Sequence, residues 1–252
     1  MTRPALSAVV TTFNSVQTLP ACLASIAFCD QIVVLDSGST DATADIARTH
    51  GARLIVEPFK GYSAQKQSAI DHAAHDWVML LDSDEWLDAN ASQRIEQALA
   101  SVQHVGYRLP RREWLFWRWQ SPSARHNRYV RLFDRRHARM SDHQVHESVV
   151  VDGSVGDIDA LIWHRGDRDI TAKVSKANLY SGLQLQAEST RKKRWLRTRV
   201  VLYPVVAFLR YYLLRGHFRA GWAGFIAARV HAFYAFLKYA KVLEAQRGRD
   251  QP

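Results

Sequence analysis

Val78-Met79-Leu80-Leu81-Asp82-Ser83-Asp84-Glu85 runs four apolar residues straight into an acidic cluster. A run that apolar, bounded by a polar turn, is what a strand buried on both faces of a sheet requires. Alternate residues of a strand share a face, so Asp82 and Asp84 arrive on one side of the strand end. Their charges repel unless a cation lies between them. Hard cations such as Mg²⁺ or Mn²⁺ commonly join one or two carboxylates to the phosphates of a substrate. The stretch therefore predicts a metal–diphosphate site at the carboxyl edge of an α/β sheet. Taken alone, a D-x-D reads as a solvated acidic turn after a core strand. The segments around it change that reading.

Upstream, residues 6–11 are predicted as a first strand, ending in Thr12-Phe13-Asn14, with a helix over 19–26. Residues 31–35 form a second buried strand that runs into Asp36-Ser37-Gly38-Ser39-Thr40-Asp41. Ser39 or Thr40 can cap a helix ending at Thr49, with Gly51 as its stop. A short strand over 53–56, a helix over 63–74, the strand over 77–81 and a helix over 91–99 follow. Strands alternating with helices imply right-handed βαβ units on a mostly parallel sheet flanked by helices. The loops after these strands fall on one edge, a crevice that suits a nucleotide. Neither G-x-G-x-x-G nor G-x-x-x-x-G-K-[ST] is present, which disfavours a Rossmann dehydrogenase or a P-loop NTPase. Asp36 either accepts from a ring N–H of a uracil base or caps its own turn.

Past residue 104 the texture changes. Short strand-like pieces over 105–109, 128–133, 145–151 and 160–164 surround an aromatic, basic loop with Trp114, Phe116, Trp117 and Trp119. Arg128 and Arg131 are read as alternating on one strand face, where they contact a diphosphate or an anionic acceptor, or else make structural pairs. His143, His146 and His164 are too scattered for a zinc site.

The net charge of +10 is uneven. Residues 190–252 hold 14 of the 34 Lys+Arg and 2 of the 24 Asp+Glu, a balance of +12, which leaves 20 against 22 in the rest. A basic tail on a slightly acidic body argues against a nucleic-acid binder. The tail is apolar and aromatic but broken by arginines. Its longest uncharged run, 200–209, is far short of the ~20 residues of a spanning helix. Such helices can lie in the interface of an anionic membrane, or pack on the domain, or form an oligomer contact. Hydrophobic residues make up 47% of the 252, enough for a sizeable core. Cys22 and Cys29 lie seven apart; read on one helical path they sit about two turns apart, too far for a disulfide, and fit a reducing, cytoplasmic location. Residues 5–10 are too short for a signal-peptide core.

TTFN near the start, VVLDSGSTDAT, GYSAQKQSAI and VMLLDSDEWL occur in that order. Together they resemble the inverting GT-A glycosyltransferases of family 2. RYVRLFDRR, VHESV, WHRG and the aromatic-basic tail extend the likeness to the lipopolysaccharide core subgroup related to β-1,4-glucosyltransferases. The resemblance implies a GT-A domain over 1–189, with a nucleotide-binding half to about 104 and an acceptor half beyond it, and a helical membrane-associating tail over 190–252. It also implies roles. Thr12, Phe13 and Asn14 match the first nucleotide loop, and Asp36 the acid at the uracil. Lys66 lies near base and phosphates, Asp82 faces ribose or sugar, and Asp84 holds the metal directly. His164 resembles a histidine that serves as an extra metal ligand in some members.

Transfer with inversion needs a base on the face opposite the leaving group. Glu147 is the first candidate and Asp142 the second; for Glu147 the alternative is a surface residue paired with a local Arg. The expectation is a Mg²⁺- or Mn²⁺-dependent hexosyltransferase moving glucose from UDP-glucose to a lipopolysaccharide core or other lipid-linked saccharide. Its expected location is peripheral, on the inner face of the bacterial cytoplasmic membrane. Another nucleotide sugar, or a non-catalytic nucleotide-sugar or RNA-binding module, is the rival reading.

Overall fold

The apolar runs of the first half become strands because both of their faces are covered. A computed structural model describes residues 3–141, 147–188 and 195–248. In chain order the elements are β1 (Leu6–Thr12), α1 (Leu19–Ser25), β2 (Gln31–Asp36), α2 (Thr43–Thr49), β3 (Arg53–Val56), α3 (Tyr62–Asp71), β4 (Trp77–Asp82), β5 (Glu85–Leu87) and α4 (Ala91–Ala100). There follow β6 (Gly106–Leu115), β7 (Arg118–Trp119), β8 (Asn127–Asp134), β9 (Ala138–Met140), β10 (Val149–Val151), β11 (Val155–Asp157) and β12 (Ile162–His164). The remainder is helical: α5 (Ile170–Glu188), α6 (Leu196–Leu209), a π-helical turn (Arg210–Leu214), a 3-10 turn (His217–Ala220) and α7 (Gly221–Gly248).

The described residues divide into two compact units: those up to Arg112 together with those from Asn127 to Gly166, and those from Glu113 to His126 together with those from Asp167 onward. In the first unit β3, β2, β1 and β4 pair in parallel, in that order. β8 then adds antiparallel to β4, and β6 antiparallel to β8. β12 and β5 complete the row, antiparallel to each other. This is the α/β GT-A arrangement, a parallel nucleotide-type half extended by an antiparallel half.

Period-two alternation sorts the strand residues between two cores. Leu6, Ala8 and Val10 of β1, with Met79 and Leu81 of β4, meet α1 and α4 through Leu19, Cys22, Leu23, Ile95 and Leu99. Val9, Val78, Leu80 and Phe133 on the opposite face meet α3 through Ala69 and Ile70. Helices on both faces explain why β4 reads as an unbroken apolar run rather than an alternating one. Helix α1 ends at Ser25, so Cys29 lies just beyond it; both thiols are free.

The second unit differs from the sequence expectation in its boundary. Helix α5 belongs with the tail rather than with the sheet: it packs along α7, where Lys241 donates to the carbonyl (2.6 Å) and side-chain oxygen (2.8 Å) of Asn178. The aromatic hairpin joins it as well: Leu115 packs on Ala220, Ala223 and Ala227, and Trp114 stands edge-on to Trp119 at 5.0 Å.

Leu81 is fully buried at the centre of the first core. Leu81→Ala should lower the free energy of unfolding by about 2–5 kcal/mol, measured by urea denaturation.

Candidate active site

Three loops leave the carboxyl ends of β1, β2 and β4, which finish level with one another: Thr12 pairs with Asp36 and Thr11 with Asp82. Side chains stitch these loops together. Asn14 adopts a left-handed conformation (φ 48°) that an Asn tolerates. Its N–H donates to Ser39 Oγ (2.8 Å), and its Oδ1 accepts from the Thr40 N–H (2.9 Å). The Ser39 hydroxyl in turn donates to Asp36 Oδ1. The other Asp36 oxygen accepts from the N–H groups of Gly38 (3.2 Å) and Ser39 (2.8 Å). Asp36, 2% exposed, thus caps its own turn. Ser15 closes the set: its hydroxyl shares a 2.8 Å hydrogen bond with Ser83 Oγ, and its N–H donates to Thr43 Oγ1 (2.8 Å). Thr12 is buried with its hydroxyl unpartnered among the described residues, while the Phe13 ring is exposed.

The charged centre lies at the end of β4. Lys66 of α3 is buried, and its ammonium sits 2.7 Å from Asp82 Oδ1 and 3.2 Å from Glu147 Oε1. Burial opposes the charge on Lys66, but Asp82 and Glu147 hold its pKa above the ordinary value. Arg131 of β8 reaches Asp82 Oδ2 from the other side at 3.1 Å. Burial pushes the Asp82 carboxyl up, yet Lys66 and Arg131 outweigh it and keep it well below the carboxylate range. The charge on Asp82 is therefore balanced by two protein cations.

Glu85 and Arg111 belong to this centre and were not singled out from the sequence. Glu85 is wholly buried. Its Oε1 accepts from Arg131 (2.7 Å) and Arg111 (2.8 Å), and its Oε2 accepts from the backbone N–H of Asp82 (3.1 Å). Arg111 also lies 4.3 Å over the ring of Tyr129, whose hydroxyl accepts from it at 3.3 Å. The available signal for Glu85 is its spacing: an acid three residues after Asp82 can fold back onto that residue's N–H. For Arg111, one of several arginines in an exposed-looking strand, there is none.

Asp84 lies apart from this network. His164, which β12 brings into register with Glu85 of β5, places Nε2 3.4 Å from Asp84 Oδ2. A Cβ at Gly166 would come within 2.5 Å of that imidazole, so the glycine of WHRG leaves the ring its space. Two adjacent ligands on an octahedral ion, each at roughly 2.1 Å, stand about 3 Å apart. The Asp84–His164 pair therefore fits a small divalent cation. Among the described residues no three His, Cys, Asp or Glu side chains gather closely enough to hold an ion unaided. Such a cation would need oxygens from a ligand.

Two site expectations need correction or placement. Arg128 and Arg131 do not share a face, because residues three apart on a strand point oppositely. Arg131 is buried against Asp82 and Glu85, whereas Arg128 is partly exposed and pairs with Asp159 (3.1 Å). Asp142, with His143 and His146, lies outside the described residues.

The fold and the acidic strand end together define the class, and comparison with known proteins gives the family. The model of Glycosyl transferase family 2 matches residues 7–151. The lipopolysaccharide core biosynthesis glycosyltransferase LpsC of Rhizobium meliloti is 33% identical over 98% of this chain and 95% of its own length. An uncharacterised glycosyltransferase of Rickettsia typhi is 30% identical over 85% of this chain and 78% of its own. Glucosyl-3-phosphoglycerate synthase from Mycobacterium tuberculosis, solved with Mn²⁺ and UDP-glucose, superimposes with a TM-score of 0.39 at 23% identity, over 43% of this chain and 44% of its own. The chain belongs to glycosyltransferase family 2 and is a glycosyltransferase.

Arg131→Met should cost about 3–5 kcal/mol of stability in urea unfolding, because it strands the buried Glu85 carboxylate with half of its pairing. The depressed Asp82 carboxyl adds stability that is present above its ordinary value of 3.8 and is lost as pH falls. The stability gap between wild type and Asp82→Asn should therefore narrow progressively below about pH 4, measured by denaturation across pH.

Proposed function

We propose that this protein transfers glucose from UDP-glucose, with inversion, onto a lipopolysaccharide core or other lipid-linked saccharide. The observation that carries the reading is the Lys66 ammonium, which joins Asp82 of the D-x-D to Glu147, so that one lysine ties the donor-type strand end to a carboxylate suited to be the base. Family membership and the printed function of the Rhizobium meliloti relative support the substrate class.

In this reading the nucleoside lies along the stitched Thr12–Asn14 and Asp36 loops. Asp84 and His164 would hold a Mg²⁺ or Mn²⁺ ion beside the donor diphosphate. The ion's charge would offset the negative charge on the departing UDP. Glu147 accepts the proton of the acceptor hydroxyl as that oxygen bonds to the anomeric carbon, on the face opposite the breaking bond to UDP. Lys66 holds the Glu147 carboxylate in place, Asp82 holds Lys66, and Arg131 holds Asp82 at the end of β4.

Asp84→Asn should reduce Mn²⁺-dependent turnover of UDP-glucose by at least about a hundredfold with little change in melting temperature. Glu147→Gln should cut transfer to a core acceptor while preserving Mn²⁺-dependent stabilisation by UDP. Full transfer activity in either variant would defeat the corresponding role. A panel of nucleotide sugars in the same stabilisation assay tests the donor.

A further inference from the structure

Ser83 and Asp84 are the whole of the turn between β4 and β5. The backbone of that turn is held from several sides. The Asp82 N–H donates to Glu85 Oε2 (3.1 Å), the Asp82 carbonyl accepts from the Cys22 thiol (3.7 Å), and the Asp84 carbonyl accepts from the Arg165 N–H (2.9 Å). Burial pushes the Cys22 thiol up, so it keeps the proton it donates. None of these bonds involves the side chain between the two acids. That side chain is taken up by the loop after β1: Ser83 Oγ lies 2.8 Å from Ser15 Oγ.

The direction of the Ser83–Ser15 bond follows from the protons available. A serine hydroxyl has one to donate. Ser15 donates its own to the Phe13 carbonyl (3.2 Å), so Ser83 is the donor to Ser15. Two hydroxyls in series therefore run from the residue before Asp84 to the backbone of Phe13. Ser15 is itself well fixed. Its N–H donates to Thr43 Oγ1 (2.8 Å), and its carbonyl accepts from the N–H groups of Thr18 (3.1 Å) and Leu19 (3.0 Å) at the entry to α1. Leu19 is fully buried in the first core, which leaves Ser15 little room to shift.

We infer that Ser15 and Ser83 are positioning residues, whose paired hydroxyls set Asp84 for its ion by reference to the loop that receives the nucleoside. The inference rests on the reading of Asp84 as an ion ligand beside a nucleoside diphosphate. Neither serine needs to touch the donor or the ion. Released from Ser15, the two-residue turn would sample other placements of Asp84. Ion binding would then have to select one placement from several, which weakens it in proportion to the share lost.

The test uses the full chain with UDP, Mn²⁺ and uridine, read by thermal stabilisation and calorimetry. In Ser83→Ala and in Ser15→Ala, the Mn²⁺ concentration that gives half of the UDP-induced stabilisation should rise about three- to tenfold. The double variant should need no more Mn²⁺ than either single one, because both remove the same bond. Ser83→Thr, which keeps the donor, should restore the wild-type requirement. Uridine has no phosphate and needs no ion, so its affinity should be unchanged in Ser83→Ala, as should the melting temperature of the ligand-free protein. A purely structural role for Ser83 would instead lower that melting temperature and leave the Mn²⁺ requirement where it was, which overturns the inference. Additive effects in the double variant overturn it as well. Either result leaves the transferase reading standing, whereas a wild-type protein that UDP and Mn²⁺ fail to stabilise defeats both.

Discussion

A carboxylate with no exposure to solvent, Glu85, sits between two arginines at the heart of the first unit. Charges in such a place are tolerated only when their pairing is nearly complete, since each desolvated ion costs several kcal/mol. That requirement fixes several elements at once. Arg131 must come from β8 and Arg111 from β6, and the turn after β4 must fold Glu85 back onto the N–H of Asp82. Asp82, drawn into the same lattice through Arg131, anchors α3 to the sheet end by its pair with Lys66, which also reaches Glu147.

This pairing divides labour between the two acids of the D-x-D. The Asp82 charge is balanced inside the protein, so it orders the site. Asp84 lies outside that network, beside His164. The sequence places the two carboxylates side by side as though they shared a cation. In the fold, cations already built into the chain satisfy one of them.

Much of this was legible beforehand. The strands of the parallel half announce themselves because burial on both faces leaves no polar residues to blur the pattern, and the three loops at their ends follow from connectivity alone. Less visible was anything that depends on long-range pairing. Glu85 looks like one more acid in a polar turn until β8 and β6 deliver arginines to it. The opposite faces of Arg128 and Arg131, by contrast, were already written in their spacing, since residues three apart on a strand point oppositely. Helix α5 carries no signal for its partner, α7, which lies more than thirty residues further along the chain. The role of Asp36 stayed open for a related reason: an Asx turn and a ligand contact ask the same thing of the same side chain.

The knitting of the loops by Asn14, Ser15, Ser39 and Ser83 has an energetic meaning of its own. Those hydrogen bonds tie the three loops to one another, so a ligand bound along that rim would find less backbone freedom to remove on association, and more of its contact energy would appear as affinity.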